Sequence, residues 1–197
     1  MEIPKNITVG VLAIQGDFER HLAQLDSLGV PHREVRLAAD LDRIDGLILP
    51  GGESTTMDIM IDRFKLREPL TRFCRTKPVY GTCAGMILLS RLIRDNQSRV
   101  KPLNIIDIEV LRNGYGRQLF SSDERLEVNL GNGTKHVEAT FIRAPKIVAI
   151  GSGVEVLARR GTDPVLVKSG KALASAFHNE LGGETAILRH FLTHYFV

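Results

Sequence analysis

The sequence predicts an α/β protein, a three-layer sandwich with a central, mostly parallel sheet. Short apolar, β-branched runs recur through the first half, and each is followed by a glycine or proline turn. Helically spaced apolar residues come after most of these turns, and strands alternating with helices argue for a parallel sheet covered on both faces. After Leu92 the rhythm changes to strand-like pieces separated by turn signals, which predicts an antiparallel or mixed extension.

Ile7 to Ile14 reads as a buried strand ending at the Gln15-Gly16 turn. Asp17 is expected to cap a helix over Phe18 to Leu28, with Phe18, Leu22, Leu25 and Leu28 on one stripe and Gly29 as its stop. His32 to Val35 and Gly46 to Leu49 are the next strands, and Pro50-Gly51-Gly52 breaks the second before a helix near Thr55 to Asp62. A helix over Glu68 to Arg75 precedes a strand over Pro78 to Gly81. Ligands of such sheets sit beyond the carboxyl ends of the strands, which groups Gln15, Gly51, Gly52 and Cys83 at one edge.

The second half offers strands at Ile105 to Leu111, Leu126 to Val128, Ala139 to Ile142, Val154 to Ala158, Val165 to Lys168 and Ala172 to Phe177. Asn113-Gly114, Gly131-Asn132-Gly133 and Gly151-Ser152-Gly153 separate some of them. Thr185 to Phe196 closes the chain as a helix with Ile187, Phe191 and Tyr195 on one stripe. Neither a repeat nor a linker is visible, and 197 residues suit one well-buried core, so residues 1–197 read as a single domain.

The 26 basic and 23 acidic residues leave a net charge of +3 with no lysine- or arginine-rich block, so a nucleic-acid partner is not indicated. No run approaches the roughly 20 apolar residues of a membrane span, and the start lacks the pattern of an export signal. The only cysteines, Cys74 and Cys83, sit in such different surroundings that a structural disulfide is not expected, which fits a reducing cytoplasm.

Gly81-Thr82-Cys83-Ala84-Gly85 follows a strand and opens a helix, which is a nucleophile elbow written with cysteine. Small neighbours let the chain turn sharply while the thiol stays exposed, and a helix N-terminus favours the thiolate. The commonest fate of a free cysteine is a small buried apolar side chain, which is how Cys74 reads. A nucleophile needs a base, and the base an orienting group. Phe177-His178-Asn179-Glu180 offers both, because residues two apart on an extended segment face the same way. Any H-x-E matches that spacing, so the pair gains weight only beside Cys83. Pro50-Gly51-Gly52-Glu53-Ser54 is an ordinary strand-to-helix turn on local evidence, and beside the elbow it is a place for backbone N–H groups to meet an oxyanion. His190 and His194 stand four apart without a third metal ligand and read as solvated helix residues. His21, His32 and His136 have no evident partner. No metal or cofactor is expected.

The residues now resemble the class I, triad-type glutamine amidotransferases, and closely one family among them, the glutaminase subunits of pyridoxal 5'-phosphate synthase. The markers are Val11 to Gly16 (VLAIQG), Asp45 to Met57 (DGLILPGGESTTM), Tyr80 to Gly85 (YGTCAG), Arg112 to Gln118 (RNGYGRQ), Phe141 to Pro145 (FIRAP) and Phe177 to Leu181 (FHNEL). The elbow and the H-x-E are shared by many amidotransferases, whereas the G-G-E-S-T-T, N-x-Y/F-G-R-Q and F-I-R-A-P blocks are particular to this family. The resemblance implies a class I glutamine amidotransferase-like (flavodoxin-like) fold. It also implies Cys83 as nucleophile, His178 as acid and base, and Glu180 as its orienting partner. Gly51, Gly52, Glu53 and Ser54 would line the glutamine and oxyanion site, with Arg112, Ile142 and Arg143 completing the pocket. The implied reaction turns L-glutamine into L-glutamate and ammonia. The ammonia would pass to a barrel-shaped synthase subunit that makes pyridoxal 5'-phosphate, the active vitamin B6, from a pentose phosphate and a triose phosphate. That synthase is a dodecameric ring with up to twelve glutaminase subunits docked, and Gln15 would lie near the junction, where docking completes the oxyanion hole. One position departs from the family pattern. Asn179 stands where proline is usual, and asparagine leaves the turn between His178 and Glu180 freer than proline would. A glutaminase serving another synthase lacks the particular blocks. A scaffold without activity would be expected to lose Cys83, His178 or Glu180, and a cysteine peptidase with a similar elbow usually places its histidine close after the cysteine.

Overall fold

The computed structural model describes residues 2–95, 97, 99–115, 121–131 and 133–196. Gly116, Arg117 and Gln118 of the R-N-G-Y-G-R-Q block and Asn132 of a turn signal lie outside the described residues. The elements in chain order are β1 (Val9–Leu12), α1 (Phe18–Ser27), β2 (His32–Val35), a 3-10 turn (Ala38–Arg43), β3 (Gly46–Leu49), α2 (Ser54–Arg63), α3 (Arg67–Thr76), β4 (Val79–Thr82), α4 (Ala84–Leu89), β5 (Ser90–Ile93) and β6 (Ile106–Leu111). They continue with β7 (Ser122–Asn129), β8 (Thr134–Phe141), β9 (Lys146–Ile150), β10 (Glu155–Arg160), β11 (Asp163–Ser169), β12 (Ala172–Ser175) and α5 (Ala186–His194).

Among the described residues, nine strands form one mixed sheet in the order β2-β1-β3-β4-β12-β11-β10-β7-β8, and β5, β6 and β9 form a smaller one. Ladders from β2 to β12 are parallel, and those from β12 to β8 are antiparallel. Within the nine-stranded sheet, parallel pairing is therefore confined to the five strands β2, β1, β3, β4 and β12, and in the smaller sheet β5 and β6 also pair parallel. Neighbouring residues of β4 show how the layers lie, since successive side chains of a strand point to opposite faces. Tyr80 packs on Phe191 of α5 at 5.8 Å between ring centroids, and Thr82 approaches His21 of α1. Gly81 between them faces α4, where an added Cβ would stand 2.7 Å from the Gly85 carbonyl carbon and from Leu89 Cδ1. Helices α1 and α5 thus cover one face of the sheet and α4 the other.

The first strand is shorter than the Ile7 to Ile14 expected, because Thr8 N already donates to the Asp45 carboxylate at 2.9 Å rather than to a ladder. Asp17 occupies the N-cap position of α1, yet its side chain accepts no helix N–H and instead pairs with Arg20 at 3.4 Å. The 3-10 turn, β5 and β9 were not anticipated from the sequence. His190 corrects the solvated reading of the last helix, since it is buried against the His194 ring at 4.4 Å and against Tyr195. Burial, with the positive side of His194, pushes its pKa down to about 4. No group of metal-ligating side chains is present among the described residues, and no helix among them is long and apolar enough to cross a membrane.

Candidate active site

Cys83 is the single residue between the end of β4 and the start of α4, and its backbone adopts φ 49°, ψ −101°. A non-glycine residue held at positive φ costs of order 1–3 kcal/mol and persists only where its surroundings over-determine it. Here they do. Cys83 N donates to Ser175 O of the adjacent β12 at 2.8 Å, and Cys83 O accepts from Ile87 N at 3.1 Å. The flanking glycines are needed for the close approach of α4 to the sheet, since a Cβ on Gly85 would meet Leu49 O at 2.1 Å. The Cys83 thiol, expected to stay exposed, is buried and is reached only through a cleft, because α4 packs closely on the sheet around it. Cys74 is a different case. It is buried within α3, where desolvation pushes its thiol up to about 12.

His178 lies just past β12, and its backbone is fixed by a two-bond antiparallel bridge to Thr140 of β8, His178 N to Thr140 O at 2.8 Å and Thr140 N to His178 O at 3.1 Å. The imidazole rests on the Cα of Gly51, where an added Cβ would stand 2.2 Å from Cε1. Its Nδ1 is 2.6 Å from Glu180 Oε1, which sets the tautomer with the proton on Nδ1 and leaves Nε2 for the thiol. Burial disfavours charge on His178, but the hydrogen bonds and charges of Cys83 and Glu180 outweigh it and push its pKa up to about 10. Burial alone would raise the Glu180 carboxyl. The hydrogen bond from His178, with the charge of that imidazole, holds it below the ordinary range.

Asn179, between them, is not the loose link expected. It is buried, and its Oδ1 accepts from the Tyr80 hydroxyl at 2.9 Å. A tyrosine on the central strand β4 therefore holds the H-x-E segment by a side-chain bond that a proline at this position could not accept.

Cys83 and His178 open onto a cleft of about 470 Å³ lined also by Gly51, Gly52, Glu53, Ser54, Arg112, Ile142 and Arg143. All but two of the residues singled out from the sequence therefore meet at one opening, and the two others stand behind it. Glu180 is shielded by His178, and Gln15 clamps the floor, its Oε1 accepting from Glu53 N at 3.0 Å. The Glu53 carboxylate caps α2 by accepting from Thr55 N and Thr56 N. Arg112 is built into the site. Its guanidinium donates to Ser54 Oγ at 3.1 Å, Thr55 Oγ1 at 2.9 Å and the Glu53 carboxylate at 3.1 Å. Ile142 and Arg143 follow directly on the β8 segment that bridges His178, and Arg143 is held at φ 45°. A second depression of about 530 Å³, beside α5, is lined by Glu184, Arg189, His190 and His194 and contains no nucleophile. Thr140, Tyr80 and His21 were missed as supports of the site. His21 left a signal in the sequence, since it stands three residues after Phe18 on the apolar stripe of α1, where an ionisable side chain needs a partner.

A cysteine elbow on a parallel sheet, joined by a histidine and a glutamate from the next strand's end, defines a glutamine amidotransferase of the triad class. The chain belongs to the SNO glutamine amidotransferase family, whose model matches residues 11–197. A relative called pyridoxal 5'-phosphate synthase subunit PdxT, from Francisella philomiragia subsp. philomiragia, is 43% identical over 187 residues, covering 95% of this chain and 98% of the relative. A protein of the same name from Thermotoga petrophila is 47% identical over 185 residues, 93% of this chain and 97% of the relative. Among solved structures, one described as a glutamine amidotransferase superposes with a TM-score of 0.88 at 41% identity, covering 96% of this chain and 99% of that one.

Proposed function

We propose that this chain is the glutaminase subunit of a pyridoxal 5'-phosphate synthase, acting as a single domain over residues 1–197. The observation that carries the reading is the line Cys83–His178–Glu180 opening on one cleft, with the family's named relatives supplying the partner. The Cys83 thiolate adds to the side-chain amide carbon of L-glutamine, and the C=O electron pair moves onto oxygen. Backbone N–H groups of the Gly51-Gly52 turn face this developing charge, where preorganised donors are worth most. Protonated His178 gives its Nε2 proton to the departing nitrogen, the C–N bond breaks, and ammonia leaves a glutamyl thioester on Cys83. Water then attacks the thioester, with neutral His178 taking its proton, and L-glutamate leaves as the thiolate is restored. Glu180 keeps the imidazole in the tautomer that both steps need.

Arg112, anchored on Ser54 and Thr55, and Arg143, which lines the same cleft, supply positive charge for the substrate α-carboxylate, and Ile142 packs on the substrate's methylenes. Ammonia is mostly protonated in neutral water and then no longer nucleophilic, so direct transfer to a docked synthase barrel preserves its reactivity. The ring has twelve such barrels with a glutaminase on each, and Gln15 lies next to the contact. The setting is cytoplasmic, with neither nucleic acid nor membrane as a partner. The test is glutamate release from glutamine by the purified chain, alone and with a synthase subunit, beside Cys83→Ala. Release that rises with the synthase and falls by about 10⁴-fold or more in the variant is expected. A complex that forms and releases no glutamate would leave a scaffold in place of an enzyme.

A further inference from the structure

One ionisable side chain in contact with the triad has no part in the chemistry above. His21 is fully buried on α1, and its Nε2 lies 3.3 Å from Thr82 Oγ1 and 3.6 Å from Glu180 Oε1. Thr82 is the residue before the nucleophile, and Glu180 orients the base. A single ring therefore touches the supports of both reacting groups, from a helix that contributes nothing else to them.

The carboxylate is in need of such a neighbour. Glu180 is buried and its Oε2 has no hydrogen-bond partner, so its charge rests on Oε1, which is bonded to His178 and faced by His21. A buried carboxylate is costly unless opposite charge or donors surround it. The titratable groups facing His21 are Glu180 and His178 from the segment after β12 and Asp17 from the start of its own helix. Desolvation keeps the His21 ring neutral at physiological pH, against the pull of Glu180. A neutral ring carries one proton. Placed on Nε2, that proton points between Thr82 Oγ1 and Glu180 Oε1, and Nδ1, which has no partner, remains a bare lone pair. Placed on Nδ1, it would bury an unsatisfied N–H and turn the Nε2 lone pair toward a carboxylate oxygen, which is unfavourable on both counts.

We propose that His21 is a positioning residue, extending the Cys83–His178–Glu180 line by one member, with its Nε2–H bonded to Thr82 Oγ1 and the positive end of that N–H facing the Glu180 carboxylate from behind at 3.6 Å. This rests on the triad reading above for its effect on rate, but the contact itself can be tested without turnover. Nitrogen-15 NMR of the histidine rings in the intact chain at pH 6–8 is expected to show His21 neutral and protonated on Nε2. A proton on Nδ1 overturns the proposal, with no variant required.

The kinetic arm compares His21→Phe, which keeps a ring of similar volume and removes the donor, with His21→Gln, which returns an N–H. Both are assayed in complex with the synthase. The expected result is a fall in kcat of about 10- to 100-fold in His21→Phe at nearly unchanged KM, the size found when the partner of an orienting group is removed elsewhere. His21→Gln recovers most of that loss. The downfield Nδ1–H resonance of His178 is expected to move in the Phe variant and to return in the Gln variant. Full kcat together with an unmoved His178 resonance in His21→Phe would mean that the ring only fills space. A wild-type chain that releases no glutamate removes the triad reading, whereas the two NMR measurements still decide whether His21 faces Glu180 with its Nε2–H.

Discussion

In the parallel half of the sheet all four residues of β1, β3, β4 and β12 are buried, whereas β7 and β8 in the antiparallel half bury their side chains in alternation and expose the rest. The parallel strands carry helices on both faces and end at Cys83, His178 and the Gly51-Gly52 turn. Strands β7 and β8 have one face in water, and the contribution of β8 to the site is a backbone bridge, Thr140 to His178, that continues into Ile142 and Arg143. One half fixes the reacting atoms, and the other reaches back across them to close the cleft. Precision belongs to elements covered on both sides, and the variable wall belongs to an element that water reaches.

The sharpest way to break that division is to disturb the reacting geometry while leaving the fold alone. Gly51→Ala places a methyl 2.2 Å from His178 Cε1, so the imidazole must leave its seat on the turn. Misplacing a catalytic group by about 1 Å costs on the order of 10²-fold. A loss of about 10²- to 10³-fold in kcat is therefore expected, with a melting temperature close to wild type. Retained activity would show that the ring tolerates another position and that the parallel half is less exacting than its packing indicates.

The next test is energetic. Ile48 is fully buried at the centre of β3, and Val137 is almost as buried on β8 at the far edge. Ile48→Ala is expected to destabilise the protein by about 4 kcal/mol. Val137→Ala removes less volume from a more adjustable site and is expected to cost about 2 kcal/mol. Denaturant unfolding of both variants measures the gap. Equal losses would mean that the outer hairpin is as integral to the cooperative unit as the central strands.

The same contrast explains which parts of the structure could be read from the sequence. Short runs such as GLIL announce a strand because burial on both faces leaves no polar positions to interrupt them. In β7 and β8 only the apolar pieces Leu126 to Val128 and Ala139 to Ile142 stood out, whereas the strands extend over Ser122–Asn129 and Thr134–Phe141. Their remaining residues face solvent and carry charge, so the alternation is there, but the turn residues between them gave the stronger signal. The catalytic line was legible because the elbow needs small residues beside the cysteine and an extended H-x-E needs spacing two. Its supports were not. The hydrogen bond from Tyr80 to Asn179 spans 99 positions and the contact of His21 with Thr82 spans 61, and no local pattern encodes either. Asn179 shows the consequence, since a looser backbone inferred from residue type was overruled by a tertiary bond.

The smallest expected effect concerns the seam between the parallel half and the smaller sheet. Glu53 at the head of α2 accepts two N–H bonds of that helix and also meets Arg112, which comes from the end of β6. Glu53→Ala removes the cap and one anchor of the guanidinium together. Loss of a cap of this kind costs about 1 kcal/mol, equivalent to a fall of about 2–4 °C in melting temperature for a chain of this size. The ion pair itself adds little, because the Glu53 side chain is half exposed and water screens it. Arg112 retains Ser54 and Thr55, so a modest rise in KM for glutamine at nearly unchanged kcat is expected. A fall in kcat of more than tenfold would instead mean that Glu53 holds the Gly51-Gly52 turn itself in place. The seam would then count among the elements that fix the reacting atoms, not among those that close the wall around them.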